Sequence, residues 1–301
     1  MRRAALPAAI VVAALLSCRP AVPPHVKVDP AMLTLAPPDS VLLLGVRVDH
    51  LSETPFYQKY VASGPAPALD GFIRRTGIDP GKDVWEVLAA HDGKETVVMT
   101  RGKFSEYSGL EPRIEMEGAS RTSHQGYTLV GDERQAITFM NSTTAVAGPP
   151  RLLQSIIDRR SEPPAPPAAL VDRIKRIERV NQVWLVAQGP VQAPEAVSRG
   201  RVNVTELLAK VRFLTAAADL RNGMAFTATG ECASPRDAET LESVLRAMMA
   251  FARLGLRDQP AMTAIYKSIA LTREEATVRL EARLTADQLD GVIAELGDAA
   301  R

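Results

Sequence analysis

Four side chains near the middle of the chain have types and spacing that could do chemistry. Asp79 and Asp83 lie four residues apart in the loop Thr76 to Trp85 (TGIDPGKDVW), and Arg101 and Lys103 follow at the end of an apolar run. Paired carboxylates could share acid and base work, and the two cations could grip an anion at a strand end. A plainer use competes with this one. Asp-Pro-Gly is turn chemistry, Asp83 is a good N-cap for a helix over Val84–Ala90, and Trp85 would anchor that helix in the core. The histidines His25, His50, His91 and His124 fall 25, 41 and 33 residues apart. Metal ligands on one helix or loop are far closer together, and HExxH, CxxC and an Asp-rich calcium loop are all missing. The sequence therefore predicts no metal and no cofactor. Glycine loops for phosphate, a GxSxG elbow and a Ser-x-x-Lys pair are missing too. A triad assembled from distant positions stays open.

The chain has two cysteines, Cys18 and Cys232. Cys232 ends the alternation Met224, Phe226, Ala228, Gly230, Cys232, which puts it on the apolar face of a strand as a small buried hydrophobe. Cys18 has a different setting. Arg2 and Arg3 precede an apolar stretch, Ala4 to Leu16, and Leu15-Leu16-Ser17 leads directly into the cysteine. Such a stretch is too short for the roughly 20 residues of a membrane-spanning helix and fits a signal peptide. Leu15-Leu16-Ser17-Cys18 resembles the lipobox of bacterial lipoproteins. That resemblance implies cleavage before Cys18, a diacylglycerol thioether on its sulfur, and anchoring in a membrane. Asp after the cysteine marks inner-membrane retention in Gram-negative members; here the residue is Arg19, which by resemblance favours the outer membrane. Ala36-Pro37-Pro38-Asp39-Ser40-Val41 with Gly45 to Asp49 and Leu51 also resembles the start of uncharacterised exported bacterial proteins, which implies an exported α+β body and no particular activity.

The elements that must hold these residues follow from periodicity. Residues 19–38 hold Pro20, Pro23, Pro24, Pro30, Pro37 and Pro38 and read as an extended tether, reaching roughly 60 Å at about 3.1 Å per residue. Val41–Val48 is an apolar run that reads as a strand buried on both faces. Thr54-Pro55 starts a short helix with Tyr57, Tyr60 and Val61 on one side, and a second is expected over Ala68–Arg75. Strands are expected over Thr96–Thr100, Tyr127–Val130, Ala136–Met140 and Thr144–Ala147, then a helix with Leu152, Leu153, Ile156 and Ile157 inward. Residues 161–167 carry four prolines and read as a linker or a stiff loop. Beyond them Leu170, Val171, Ile174 and Ile177 form a helical stripe with Arg173, Lys175, Arg176 and Arg179 on its other faces.

The last hundred residues give the clearest pattern. Asn222-Gly223 joins strands Val211–Ala218 and Met224–Glu231. Ser234-Pro235 starts a long helix ending near Gly255. A second hairpin is expected over Ile265–Thr272 and Thr277–Leu284, and Thr285 to Gln288 is a capping box for a closing helix. The resulting ββαββα order predicts an α+β fold of antiparallel sheets with helices packed on one face. Two similar lobes are possible, because the 136–157 segment echoes 265–296. The expected divisions are a signal peptide (1–17), lipidated cysteine and tether (18–38), a first lobe (39–160), a linker or loop (161–168) and a second lobe (169–301).

Charge narrows the function classes. Thirty-six basic residues face 35 acidic ones, and removal of Arg2 and Arg3 with the signal peptide leaves 34 against 35. Nucleic-acid binding needs a clustered basic excess, so no nucleic-acid partner is expected. The sequence points to a non-enzymatic envelope lipoprotein, anchored through Cys18 and serving an envelope protein partner as a binding or adaptor protein. A carrier of a small hydrophobic or lipid ligand, with a cavity near Met248, Met249 and Phe251, is an alternative. A hydrolase using dispersed carboxylates is another.

Overall fold

The computed structural model describes residues 25–62, 73, 78–107, 118–164, 167–190, 209–255 and 260–299. Cys18 and most of the expected Ala68–Arg75 helix lie outside these residues. One antiparallel sheet organises the rest. Its strands are β1 (Leu42–Arg47), β2 (Val84–His91), β3 (Thr96–Gly102), β4 (Ser120–His124), β5 (Tyr127–Gly131), β6 (Ala136–Asn141), β7 (Thr144–Gly148), β8 (Val183–Gln188), β9 (Val211–Asp219), β10 (Met224–Cys232), β11 (Ala270–Glu274) and β12 (Thr277–Leu284). Their spatial order is β11-β12-β10-β9-β8-β1-β2-β3-β7-β6-β5-β4. The helices are α1 (Pro30–Leu35), α2 (Val48–Ser52), α3 (Pro55–Tyr57, continued by a π-helical turn over Gln58–Ala62), α4 (Pro80–Asp83), α5 (Pro150–Asp158), α6 (Ala168–Ile174), α7 (Pro235–Gly255), α8 (Pro260–Ser268) and α9 (Ala286–Ala299). This is the α+β class the sequence predicts.

Several local signals act as expected. Thr54 Oγ1 accepts from the Tyr57 amide at 3.2 Å at the start of α3. Gly223 takes φ +85° in the β9–β10 turn. At α9 the Thr285 amide donates to Gln288 Oε1 at 2.9 Å and the Gln288 amide to Thr285 Oγ1 at 3.3 Å, a closed capping box.

The β1–β8 pair sits at the centre of the sheet, and it carries the sheet across the proline-rich segment at 161–168. The two expected lobes therefore share one sheet. Outward from this pair the order repeats, β1-β2-β3-β7-β6 one way and β8-β9-β10-β12-β11 the other. The covering helices lie on opposite faces. Leu43, Met99, Val146 and Trp184 meet α1, α5 and α6 on one face, where the main core lies. On the other face Val278 and Leu284 of β12 meet α7 and α9.

Three expected elements differ. Residues 25–38 are no free tether: Val26, Met32 and Ala36 are buried in the main core, and the Val26 amide donates to Ile177 O at 2.8 Å. Pro30 stands at the start of α1 behind its cap Asp29, so proline serves a helix start here instead of an extended chain. Val84–Ala90 is a strand, not a helix. Its apolar spacing suits either period, but β1 and β3 flank it with ladders running from Arg47↔Glu86 to Leu42↔His91 and from Glu86↔Arg101 to His91↔Thr96. Ile265 belongs to α8, which Pro260 opens, and the following strand starts only at Ala270. Strands β4 and β8 are additional to the expected elements: β4 is polar throughout, whereas β8 is the apolar run Val183–Ala187 between Gln182 and Gln188, a signal of the same kind as that of β1.

Candidate functional site

The structure separates the four residues picked out by spacing. Asp79, not Asp83, caps α4: its Oδ1 accepts from the Gly81 amide at 3.0 Å and its Oδ2 pairs with Lys82 Nζ at 2.8 Å. Asp83 turns back, and its Oδ2 accepts from the Asp79 amide at 2.8 Å. Lys103 meets Asp83 only through backbone, its amide donating to Asp83 O at 2.7 Å. Both carboxylates are therefore engaged in shaping a turn. Arg101 alternates with Val97 and Met99 and so belongs to the main-core face of the sheet, where it pairs with Asp29.

Around Arg101 the sheet assembles a cluster that sequence spacing did not reveal. Arg47 on β1, Glu86 on β2 and Arg101 on β3 are cross-strand neighbours in one row. They line a surface cleft of about 410 Å³ together with Lys27, Asp49, Trp85 and Arg179. A register shift between Val84 and Glu86 leaves Trp85 without a partner on β3, and the indole is 40% exposed at the rim. It is no core anchor. The Arg101 guanidinium lies 6.0 Å from the Trp85 ring centroid. Arg47 contacts His50 and pairs with Asp49 at 3.8 Å, with its side chain only 15% exposed.

Glu86 is the unusual group. Burial pushes its carboxyl up to about 7 from 4.5; Arg101 and Arg47 pull it down, and Asp29 and Asp49 push it up. Among the described residues Glu86 makes no ion pair within 4.0 Å. Burial wins over two nearby guanidinium groups because those are already turned to Asp29, Asp49 and His50. The signal that could have found this site is Glu86 itself, a charge on the beat Glu86-x-Leu88-x-Ala90, whose other members are buried in the main core.

No family model matches this chain, and no curated protein matches it. Solved structures do. TP0453 in its crystal form III has a TM-score of 0.52 at 13% identity, with 89% of this chain and 99% of that chain covered. TP0453 in crystal form I gives 0.49 at 13% identity, over 90% and 98%. The likeness to form III is one of fold, and it extends over nearly the whole of both chains.

The other candidates fall into structural roles. His124 pairs with Asp158 at 2.7 Å, His91 lies 3.1 Å from Thr96 Oγ1, and His25 forms a bridge with Glu178. Cys232 is buried among Val211, Ala238, Leu241 and Val278, and burial pushes its thiol up, with Asp237 adding to the effect. Of the basic residues expected around α6, Arg173 and Arg176 pair with Glu231 at 2.5 and 3.3 Å and Lys175 pairs with Asp172 at 2.9 Å, while Arg179 lines the cleft described above. Met249 packs against the Cys232 cluster, whereas Phe251 is 70% exposed. A larger groove of about 920 Å³ runs between the start of β3, the β5–β6 turn and α5. At its edge Arg151 and Glu95 already pair at 2.6 Å.

Proposed function

We propose that this protein is a lipid-anchored envelope protein that works by binding, not catalysis, with the Arg47–Glu86–Arg101 cleft as its binding site. The anchor would be Cys18, on the lipobox resemblance, and Arg19 after it favours the outer membrane. The observation that carries the binding role is the cleft's construction. Cations from β1, β3, the N-terminal segment and the stretch before β8 line one cleft together with a partly buried carboxyl and an exposed indole. Recognition sites are built in this way, from a few convergent polar groups on rigid strands. The hydrolase reading loses its best pair, since Asp79 and Asp83 are committed to turn hydrogen bonds. The carrier reading loses Met249 to the core and Phe251 to solvent. Among the described residues no helix is long and apolar enough to cross a membrane.

Native intact mass of the protein, extracted from its own envelope in mild detergent, tests this reading. The expected species begins at Cys18, carries acyl chains and retains a bound component. A mass without acyl chains, or one that keeps Met1–Ser17, would sink the anchored reading.

A further inference from the structure

The cleft's charges are unevenly spent. Arg101 is turned to Asp29 and Arg47 to Asp49 and His50, which fixes both guanidinium groups at the floor. Lys27 and Arg179 are exposed at the mouth and, among the described residues, pair with no acid. Four cations therefore face Asp29, Asp49 and Glu86, and Glu86 is a carboxyl that keeps its proton part of the time at neutral pH. The mouth has positive charge to offer, and fixed guanidinium groups lose little conformational freedom when an anion arrives.

Two further observations narrow the anion. Trp85 presents its ring at the rim of the same cleft, and an indole with one wet edge is the side chain that settles at the headgroup level of a bilayer. The cleft also lies close along the chain to Cys18. Six residues lie between Cys18 and His25, and the seven steps from one to the other reach at most about 25 Å at 3.3–3.6 Å per residue. Lys27, two residues further on, already lines the mouth.

We propose that this cleft binds the phosphate of an anionic membrane-lipid headgroup, with Lys27 and Arg179 closing on its oxygens above Arg47 and Arg101 and with Trp85 resting at the headgroup level. Phosphate oxygens suit this donor set, because planar guanidinium groups and a lysine ammonium both donate to them without needing a directional acceptor in return. The ligand class rests on the cleft's being the binding site, and its source in a lipid rests on the anchor.

The test uses the native protein in neutral detergent, titrated calorimetrically with dihexanoyl phosphatidylglycerol, dihexanoyl phosphatidylcholine and inorganic phosphate. The expected result is binding of phosphatidylglycerol in preference to the other two, weakened at least tenfold in a Lys27→Ala/Arg179→Ala variant. Both residues are exposed, so the variant keeps its fold, which circular dichroism checks. Equal affinity for inorganic phosphate and phosphatidylglycerol would overturn the lipid as the source. No binding of either, or equal binding by the double variant, would overturn the site. Failure of the anchor reads out separately. An acylated Cys18 with no phosphatidylglycerol binding removes this inference alone, whereas binding by a chain without acyl groups removes the anchor and leaves the cleft.

Discussion

Glu86 gives the cleft a measurable signature in stability. Its folded-state value is raised to about 7, against 4.5 for an open carboxyl. Between those values the unfolded chain has released the proton and the folded chain still holds it. The folded state then binds more protons, so stability falls as pH rises from 4.5 and levels off above 7. Each pH unit crossed costs about 1.4 kcal/mol, and the interval from 4.5 to about 7 comes to about 3 kcal/mol. Water entering the half-open cleft screens the group and reduces the effect to about 2 kcal/mol. Glu86→Gln keeps the shape and removes the titration. Urea unfolding of both chains between pH 5 and pH 8 separates this group from all others, because every other titration is shared. Wild type should lose about 2 kcal/mol more than the variant over that range. A constant difference would show that Glu86 is not desolvated. A variant less stable than wild type at pH 8 would show that the carboxylate is held by Arg47 or Arg101, reversing the sign argued here.

Two further outcomes test the packing around the site. A Cβ at Gly45 would lie 2.1 Å from Cζ2 of Trp184, its cross-strand partner on β8. Gly45→Ala should therefore cost about 3 kcal/mol and lower Tm by roughly 10 °C, and a drop below about 2 °C in a thermal melt would show that the indole has room to move. Cys232 should react with iodoacetamide at pH 8 at least about tenfold more slowly in the folded protein than in urea, since burial both hides the thiol and keeps it protonated. Equal rates would place it at the surface.

Legibility followed the range of the interactions involved. Caps and turns act within a few residues, and so Thr54, Asn222-Gly223 and Thr285 were readable. Cys232 was readable because alternation is itself local. The Val84–His91 strand was not, since its apolar residues fit both periods, and the decision comes from its ladders to β3 across a short turn and to β1, about 40 residues earlier in the chain. The proline content of residues 25–38 likewise said extended chain, because composition does not reveal that Val26, Met32 and Ala36 have a core to enter. Of the candidate site, Arg101 was named from sequence as a cation at a strand end, but in company with Lys103, Asp79 and Asp83, which do not line the cleft. Lys27, Arg47, Glu86 and Arg179 come from four separate stretches: cross-strand register aligns Arg47 with Glu86, and backbone contacts of His25 and Val26 with Glu178 and Ile177 join the stretches that carry Lys27 and Arg179.

The central strand explains how one sheet can serve both halves. Val41–Val48 has apolar residues on both beats, which demands cover on both faces. Leu43 meets the α1, α5 and α6 side, while Val46 and Val48 meet the cluster of Ile78, Phe104 and Phe139 on the other. Further out, one face suffices in each half. In β12 the beat Val278, Ala282, Leu284 is buried under α7 and α9, and the opposite beat is Thr277, Arg279, Glu281 and Arg283. A rotation about the β1–β8 pair that superposes the repeated strand order would leave α5 and α9 on opposite sides of the sheet. The echo between residues 136–157 and 265–296 is thus a shared hairpin-then-helix rhythm, and the opposed faces argue against two copies of one lobe. The same opposition shapes the cleft. It opens on the face of α1, at the ends of β1, β2 and β3, where the row of core side chains from Leu43, Leu88 and Met99 gives way to Arg47, Glu86 and Arg101.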